Sequence, residues 1–175
     1  MVAQLNHLGD GDCRHLVLLG DLFHVWVGAR RYETAEVRAV IAALRRLRDR
    51  GVRIDYVEGN RDFFIADSPY ADVFDSVGDE VQFRAGDRRF LAVHGDGLND
   101  RDRLYRFWSR LSKSGVSRFL MLHLPRALAR WSVSVTERQL AKTNFKHKST
   151  IPEAIIRGYA LRRLREGFDV LLLGH

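Results

Sequence analysis

Four short stretches hold the residue types that metal and phosphate chemistry uses: Gly20-Asp21, Gly59-Asn60-Arg61-Asp62, His94-Gly95-Asp96 and Gly174-His175. Asp, Asn and His are hard or borderline ligands suited to Mn, Fe, Zn or Mg, and a carboxylate can bridge two such ions. Any one stretch alone is ordinary: a Gly-Asp turn, a capped loop, or a histidine hydrogen-bonded at the edge of a core. Together they point to a mononuclear or dinuclear metal site.

The elements that must position these groups are legible nearby. "HLVLLGD", "VRIDYVEGN", "RRFLAVHGD" and "FDVLLLGH" are apolar runs that deliver a polar residue at the carboxyl end, where ligands bind in α/β sheets; glycine there permits the sharp turn. Between the first two, Val37, Val40, Ile41, Leu44 and Leu47 repeat at helical spacing, with Gly51 beyond the helix end, which predicts a β-α-β unit. "EVQFRA" and "RRFLAV" flank a Gly-Asp hairpin turn, and "PEAIIRGYALRRLREG" predicts a helix with Pro152 in its first turn and Gly167 past its end.

Composition narrows the function classes. The chain has 175 residues and suits one domain; its single cysteine, Cys13, has no internal disulfide partner, and the first residues lack a signal-peptide pattern, which predicts a reducing cytoplasmic compartment. The longest apolar runs fall short of the roughly 18 to 20 residues needed to cross a bilayer. The net charge of +7 is uneven: residues 99–150 hold twelve Lys or Arg against three Asp or Glu, a net +9, leaving −2 elsewhere. Nucleic acid, an anionic membrane surface or a phosphorylated substrate would each suit that segment. In it Leu104, Phe107, Trp108 and Leu111 recur at helical spacing, Pro125 opens a further helix, and Trp131 and Val135 add apolar surface. This predicts a helical insert, either a lid over the strand ends or a hairpin with its own small core and a solvated basic face.

The order Gly-Asp, Gly-Asn-x-Asp, His-Gly-Asp, Gly-His resembles the calcineurin-like metallophosphoesterase superfamily. Within it, "LVLLGDLFHVWVG", "VEGNRDFFI", "VHGDGLNDRDRLYRFW" and "LLLGH" are most similar to the UDP-2,3-diacylglucosamine diphosphatase family of the lipid A pathway. The resemblance implies an αββα metallophosphoesterase β-sandwich flanked by helices: a core over 1–98, a helical lid over 99–150 and the rest of the core over 151–175. It implies metal ligation by Asp21, Asn60, His94 and His175, with Asp21 bridging, and catalytic roles for Asn60, Arg61 and His94. Substrate contacts fall on Asn60, Arg61, Asp102 and His175, and on Asn144 and Lys148 in "AKTNFKHKST", where Lys146 competes for the lysine role. His24, Asp62 and Asp96 stand around the ligands.

The implied reaction is hydrolysis of the diphosphate bond of UDP-2,3-diacylglucosamine to UMP and a lipid monophosphate, with divalent metal, most simply Mn2+. The implied partners are the nucleotide-sugar lipid and the cytoplasmic face of an anionic inner membrane, with no nucleic acid; the oligomeric state is not legible. Arg61 suits that bond. Many superfamily members carry histidine there to protonate an alkoxide, whereas arginine, with a pKa above about 12, is no acid, and a phosphate leaving group of pKa about 6 needs none. The plainer reading pairs Arg61 with Asp62. A generic phosphodiesterase or nucleotide pyrophosphatase, or a basic membrane- or nucleic-acid-binding module, are the alternatives.

Departures from the pattern are specific. His24 stands where the superfamily carries Asp or Glu, which alters support around the ions. The family's opening Asp-x-His and closing Gly-His-x-His have no complete counterpart. Only thirteen residues separate His7 from Asp21, too few for another parallel strand and its crossover of about a dozen residues. The expectation is a truncated chain with one ion site complete, one Mn-class ion bound and impaired hydrolysis.

Overall fold

The computed structural model describes residues 1–98, 107, 110–125, 128 and 153–174. Its first half follows the expected β-α-β pattern. Strand β1 (His15–Leu18) leads through a two-residue strand β2 (Trp26–Val27) to helix α2 (Ala35–Asp49), then β3 (Arg53–Val57), a second two-residue strand β4 (Asp62–Phe63) and β5 (Ser76–Gly78). The Thr34 hydroxyl caps α2 by accepting from the Val37 N–H at 3.2 Å, and Gly51 turns the chain out at φ +84°.

Helix α1 (Val2–Asp10) precedes these elements and was not anticipated. It carries no side-chain cap; its stability comes from Leu5, buried in the same cluster as Leu44 and Leu47 of α2, a tertiary partner that local periodicity does not reveal.

The second half adds the hairpin β6 (Glu80–Ala85) and β7 (Arg88–Val93), turning at Gly86 with φ +59°, then α3 (Gly115–His123), α4 (Glu153–Arg165) and β8 (Val170–Leu173). Helix α3 lies inside the segment expected to be helical. "FLMLHL" is apolar on more than one face, so periodicity did not mark it. The helix expected to start at Pro125 lies outside the described residues, apart from Pro125 itself and Leu128.

Among the described residues two three-stranded sheets form. The first is parallel with order β1-β3-β5; the second pairs β6 antiparallel and β8 parallel to β7; β2 and β4 form a short parallel pair beside the site. Period-two alternation sorts the side chains. Leu16, Leu18, Ile54 and Tyr56 join the α2 cluster, while Val17, Leu19 and Val57 meet Val81, Ala92 and Leu172 between the sheets. Leu91, Val93, Leu171 and Leu173 turn the other way, toward Phe168 and Tyr159 of the α4 region. The fold is mixed α/β, with α2 and α4 on the outer faces.

Candidate metal and phosphate site

The carboxyl ends of β1, β3 and β7 bring three of the four stretches together. After β1 the chain passes through two consecutive left-handed residues, Gly20 (φ +74°) and Asp21 (φ +51°). Positive φ costs a non-glycine residue free energy, so Asp21 must be held. Its N–H donates to Asp62 Oδ2 at 2.9 Å, and its Oδ1 accepts from the Arg61 N–H at 3.0 Å.

Glycine is required at 20 and 59 for close approach. A Cβ on Gly20 would lie 2.5 Å from the Gly59 nitrogen; one on Gly59 would lie 2.3 Å from Asp21 Oδ1 and 2.9 Å from His94 Cε1. The two strand ends therefore interlock around the Asp21 carboxylate and the His94 ring.

His94 is buried, and its Nδ1 bonds the Leu19 carbonyl at 2.7 Å. In the neutral ring that bond puts the proton on Nδ1 and the lone pair on Nε2, which faces Asp21 Oδ2 at 3.5 Å. Burial pushes the imidazole pKa down, but the Asp21 carboxylate, the Leu19 carbonyl and Asp96 outweigh it and raise it above the ordinary value. Burial likewise pushes the Asp21 carboxyl up, and His94 with the Arg61 N–H and guanidinium brings it below its ordinary range.

Arg61, mostly buried, places Nε 3.4 Å from Asp21 Oδ2. Arg61 thus pairs with Asp21, and Asp62 has other work. The fully buried Asp62 accepts at Oδ2 from three donors: the Asp21 N–H, the Gly59 N–H at 2.8 Å and the Tyr56 hydroxyl at 2.8 Å. Burial raises its pKa against those donors, and burial with the Asp62 charge raises that of Tyr56. Asp62 ties the β1 turn to the β3 turn. Tyr56 was missed in the sequence; as a strand residue it reads as core.

Among the described residues no three His, Cys, Asp or Glu side chains converge as a ready-made cluster. Asp21 and His94 provide two donors, and Asn60 a third of amide type, whose Oδ1 is buried without a hydrogen-bond partner among the described residues. A buried amide oxygen without a donor is costly, and an ion beside it would satisfy it. The set fits a hard or borderline cation. Strand β8 runs parallel to β7, and the Gly174 N–H donates to the His94 carbonyl at 3.1 Å, so the chain reaches this place just before His175.

His175, Asp102, Asn144, Lys146 and Lys148 lie outside the described residues. His24 is exposed on the turn after Asp21, whereas Asp96 lines a cleft of about 570 Å3 adjoining the site at His94. Glu58, Arg110 and Lys113 face the same cleft; none was singled out in the sequence, although Glu58 sits within the quoted "VEGN".

No family model matches the chain. Among curated relatives, the UDP-2,3-diacylglucosamine hydrolase of Pseudomonas putida is 34% identical over 146 residues, covering 81% of this chain and 60% of the relative. Those of Pseudomonas entomophila and Azotobacter vinelandii are each 31% identical, covering 95% and 91% of this chain and 70% and 66% of the relatives. The chain spans about 60% of the length of the Pseudomonas putida relative. With identity of this order running across nearly all of its residues, the chain belongs to the UDP-2,3-diacylglucosamine hydrolase family.

Proposed function

We propose that the chain carries the metal site of a calcineurin-like metallophosphoesterase core, and that its reaction is hydrolysis of the diphosphate bond of UDP-2,3-diacylglucosamine to UMP and a lipid monophosphate in lipid A biosynthesis. The observation that carries this reading is the Asp21–His94 pair, 3.5 Å apart, on strand ends adjoining the turn of Asn60, whose amide oxygen is buried without a hydrogen-bond partner among the described residues.

Asp21, Asn60, His94 and His175 would hold the ion. A divalent cation, most simply Mn2+, supplies Lewis-acid charge that activates water and offsets the charge developing on phosphorus. The residues of the chain do the rest. Asp62 fixes both turns, so Asp21 and Asn60 keep their relative position without reorganising. The Leu19 carbonyl orients the His94 ring. Arg61, held beside Asp21, offers a permanently charged planar donor set to a phosphoryl oxygen, and the departing phosphate requires no proton from it.

Residues 99–150 make a lid in this reading, with Asp102, Asn144 and Lys148 toward the substrate. Two features support it. The segment carries the net +9, and α3 exposes Val116, Phe119 and Leu120 at 68%, 61% and 55%. Apolar side chains among cations suit acyl chains and an anionic membrane surface. No helix among the described residues is long and apolar enough to cross a membrane.

Mn2+ titration followed by product analysis tests the proposal. The expected results are bound Mn2+ that is lost in Asn60→Ala and His94→Ala, and UMP as the nucleotide product, formed more slowly by Arg61→His. No Mn2+ binding by the wild-type chain, or release of UDP or inorganic phosphate instead of UMP, overturns it.

A further inference from the structure

One lysine of the basic segment reaches the site loop. Lys113 Nζ donates to the Gly59 carbonyl at 3.1 Å and lies 4.0 Å from Glu58 Oε2, while the other Glu58 oxygen accepts from the Ile65 N–H at 3.0 Å. The turn's own closing bond, Asp62 N–H to Gly59 carbonyl, is long at 3.4 Å. A charge-assisted donor at 3.1 Å is therefore the stronger restraint on that carbonyl. Lys113 is itself held by a tight corner: Ser114 caps α3 by accepting from the Ser117 N–H at 3.3 Å, and both serine hydroxyls donate to the Leu111 carbonyl at 2.7 and 2.6 Å.

Other ties between this segment and the core land elsewhere. Arg31 donates to the Leu124 carbonyl, the Tyr32 hydroxyl to the Met121 carbonyl, and Arg118 pairs with Asp67 at 2.7 Å. Of these four ties, that of Lys113 ends on the turn that presents Asn60 and Arg61.

We infer that Lys113 is a positioning residue that fastens the inserted segment to the Gly59–Asp62 turn, so that seating of the insert and ordering of Asn60 and Arg61 are one coupled event. Its importance for function rests on the reading of Asn60 and Arg61 as site groups. The coupling itself rests only on the contacts. Sites joined this way bias each other equally in both directions, so loosening either end loosens the other.

Hydrogen exchange of the chain without metal or substrate tests the coupling independently of Mn2+ binding. Lys113→Met should speed exchange of the 59–63 amides about tenfold, as expected when a charge-assisted restraint on a local opening is removed, with α2 unchanged. Lys113→Arg should restore most of the protection. Arg118→Gln, which breaks a tie of the same segment to Asp67, should leave 59–63 as in the wild type. Wild-type exchange in Lys113→Met, or equal acceleration by Arg118→Gln, overturns the inference. Should Lys113→Met also unprotect α2, Glu58→Gln decides: faster 59–63 exchange with α2 intact supports the coupling, and unchanged exchange overturns it. Retained coupling in a chain that binds no Mn2+ would sink the metal reading alone.

Discussion

Replacing Asp62 by leucine should be among the most destabilising single changes in the chain. Leucine fills a similar volume but accepts nothing, so the Asp21 N–H, the Gly59 N–H and the Tyr56 hydroxyl would each be stranded in a buried place. A buried donor left unsatisfied costs about 1–3 kcal/mol. The tyrosine hydroxyl can rotate and recover part of its loss, which brings the sum to about 4 kcal/mol, a large share of the roughly 5–15 kcal/mol that holds a domain together. Asp62→Asn isolates the cause. Its amide oxygen can take the Oδ2 position and keep all three donors, while its NH2 takes the place of Oδ1, which has no partner among the described residues, so one group is stranded instead of three and the cost should be about 2 kcal/mol. Tyr56→Phe removes one donor with its bond and should cost about 1 kcal/mol. Urea unfolding followed by tryptophan fluorescence, to which Trp26, buried 5.6 Å from the Tyr56 ring, contributes, measures all three. Asp62→Leu within 1 kcal/mol of wild type, or Asp62→Asn as damaging as Asp62→Leu, would refute the donor argument.

Other perturbations separate the site from the scaffold. Asp55 lies fully buried in the middle of the central strand β3, where Arg53, Ser76 and His15 outweigh burial and lower its pKa from 3.8; its stabilisation is therefore present above pH 3.8 and lost as pH falls through the depressed folded value. Asp55→Asn should flatten that acid limb of a stability-against-pH curve, and an unchanged limb would count against it. Gly59→Ala should abolish Mn2+ binding because its Cβ strikes Asp21 and His94, whereas Gly51→Ala, in open space at φ +84°, should cost about 1 kcal/mol and leave binding intact. Phe119→Asp should weaken sedimentation with anionic vesicles, which should itself fall with salt; equal sedimentation with neutral and anionic vesicles would discredit the lid's membrane role.

What could be read from the sequence was what short-range physics decides. The α2 stripe from Val37 to Leu47 is buried as its spacing requires, and Gly86 turns the β6–β7 hairpin. Asp21 and Asn60 follow neighbouring strands because β1 and β3 run parallel, whereas His94 joins them from the second sheet, where Gly20 and Gly59 let its ring pack close. The division into two sheets was hidden, since β1, β3, β7 and β8 each place apolar residues on both faces. Tyr56 and Lys113 were hidden for a different reason: a tyrosine in a strand has the signature of core, and Lys113 meets Gly59 only after the insert folds back across 54 positions of sequence.

The parallel pairing of β7 with β8 has a kinetic consequence. The β6–β7 hairpin closes a short loop and can form in about microseconds, but β8 reaches its partner only after the whole stretch between Val93 and Val170 has been spanned. Loop-closure entropy rises slowly, by about 0.6 kcal/mol per doubling of length, so the insert can grow or shrink across evolution with little effect on the core's equilibrium stability. Folding rate is more sensitive, because non-local parallel contacts slow the search. Half of the site, Asp21 with Asn60 and Arg61, is assembled by the local β1–α2–β3 unit, and the strand that leads to His175 docks late. During synthesis the nascent chain would therefore bring the Asp21 turn and the Asn60–Arg61 turn together before β8 joins the second sheet.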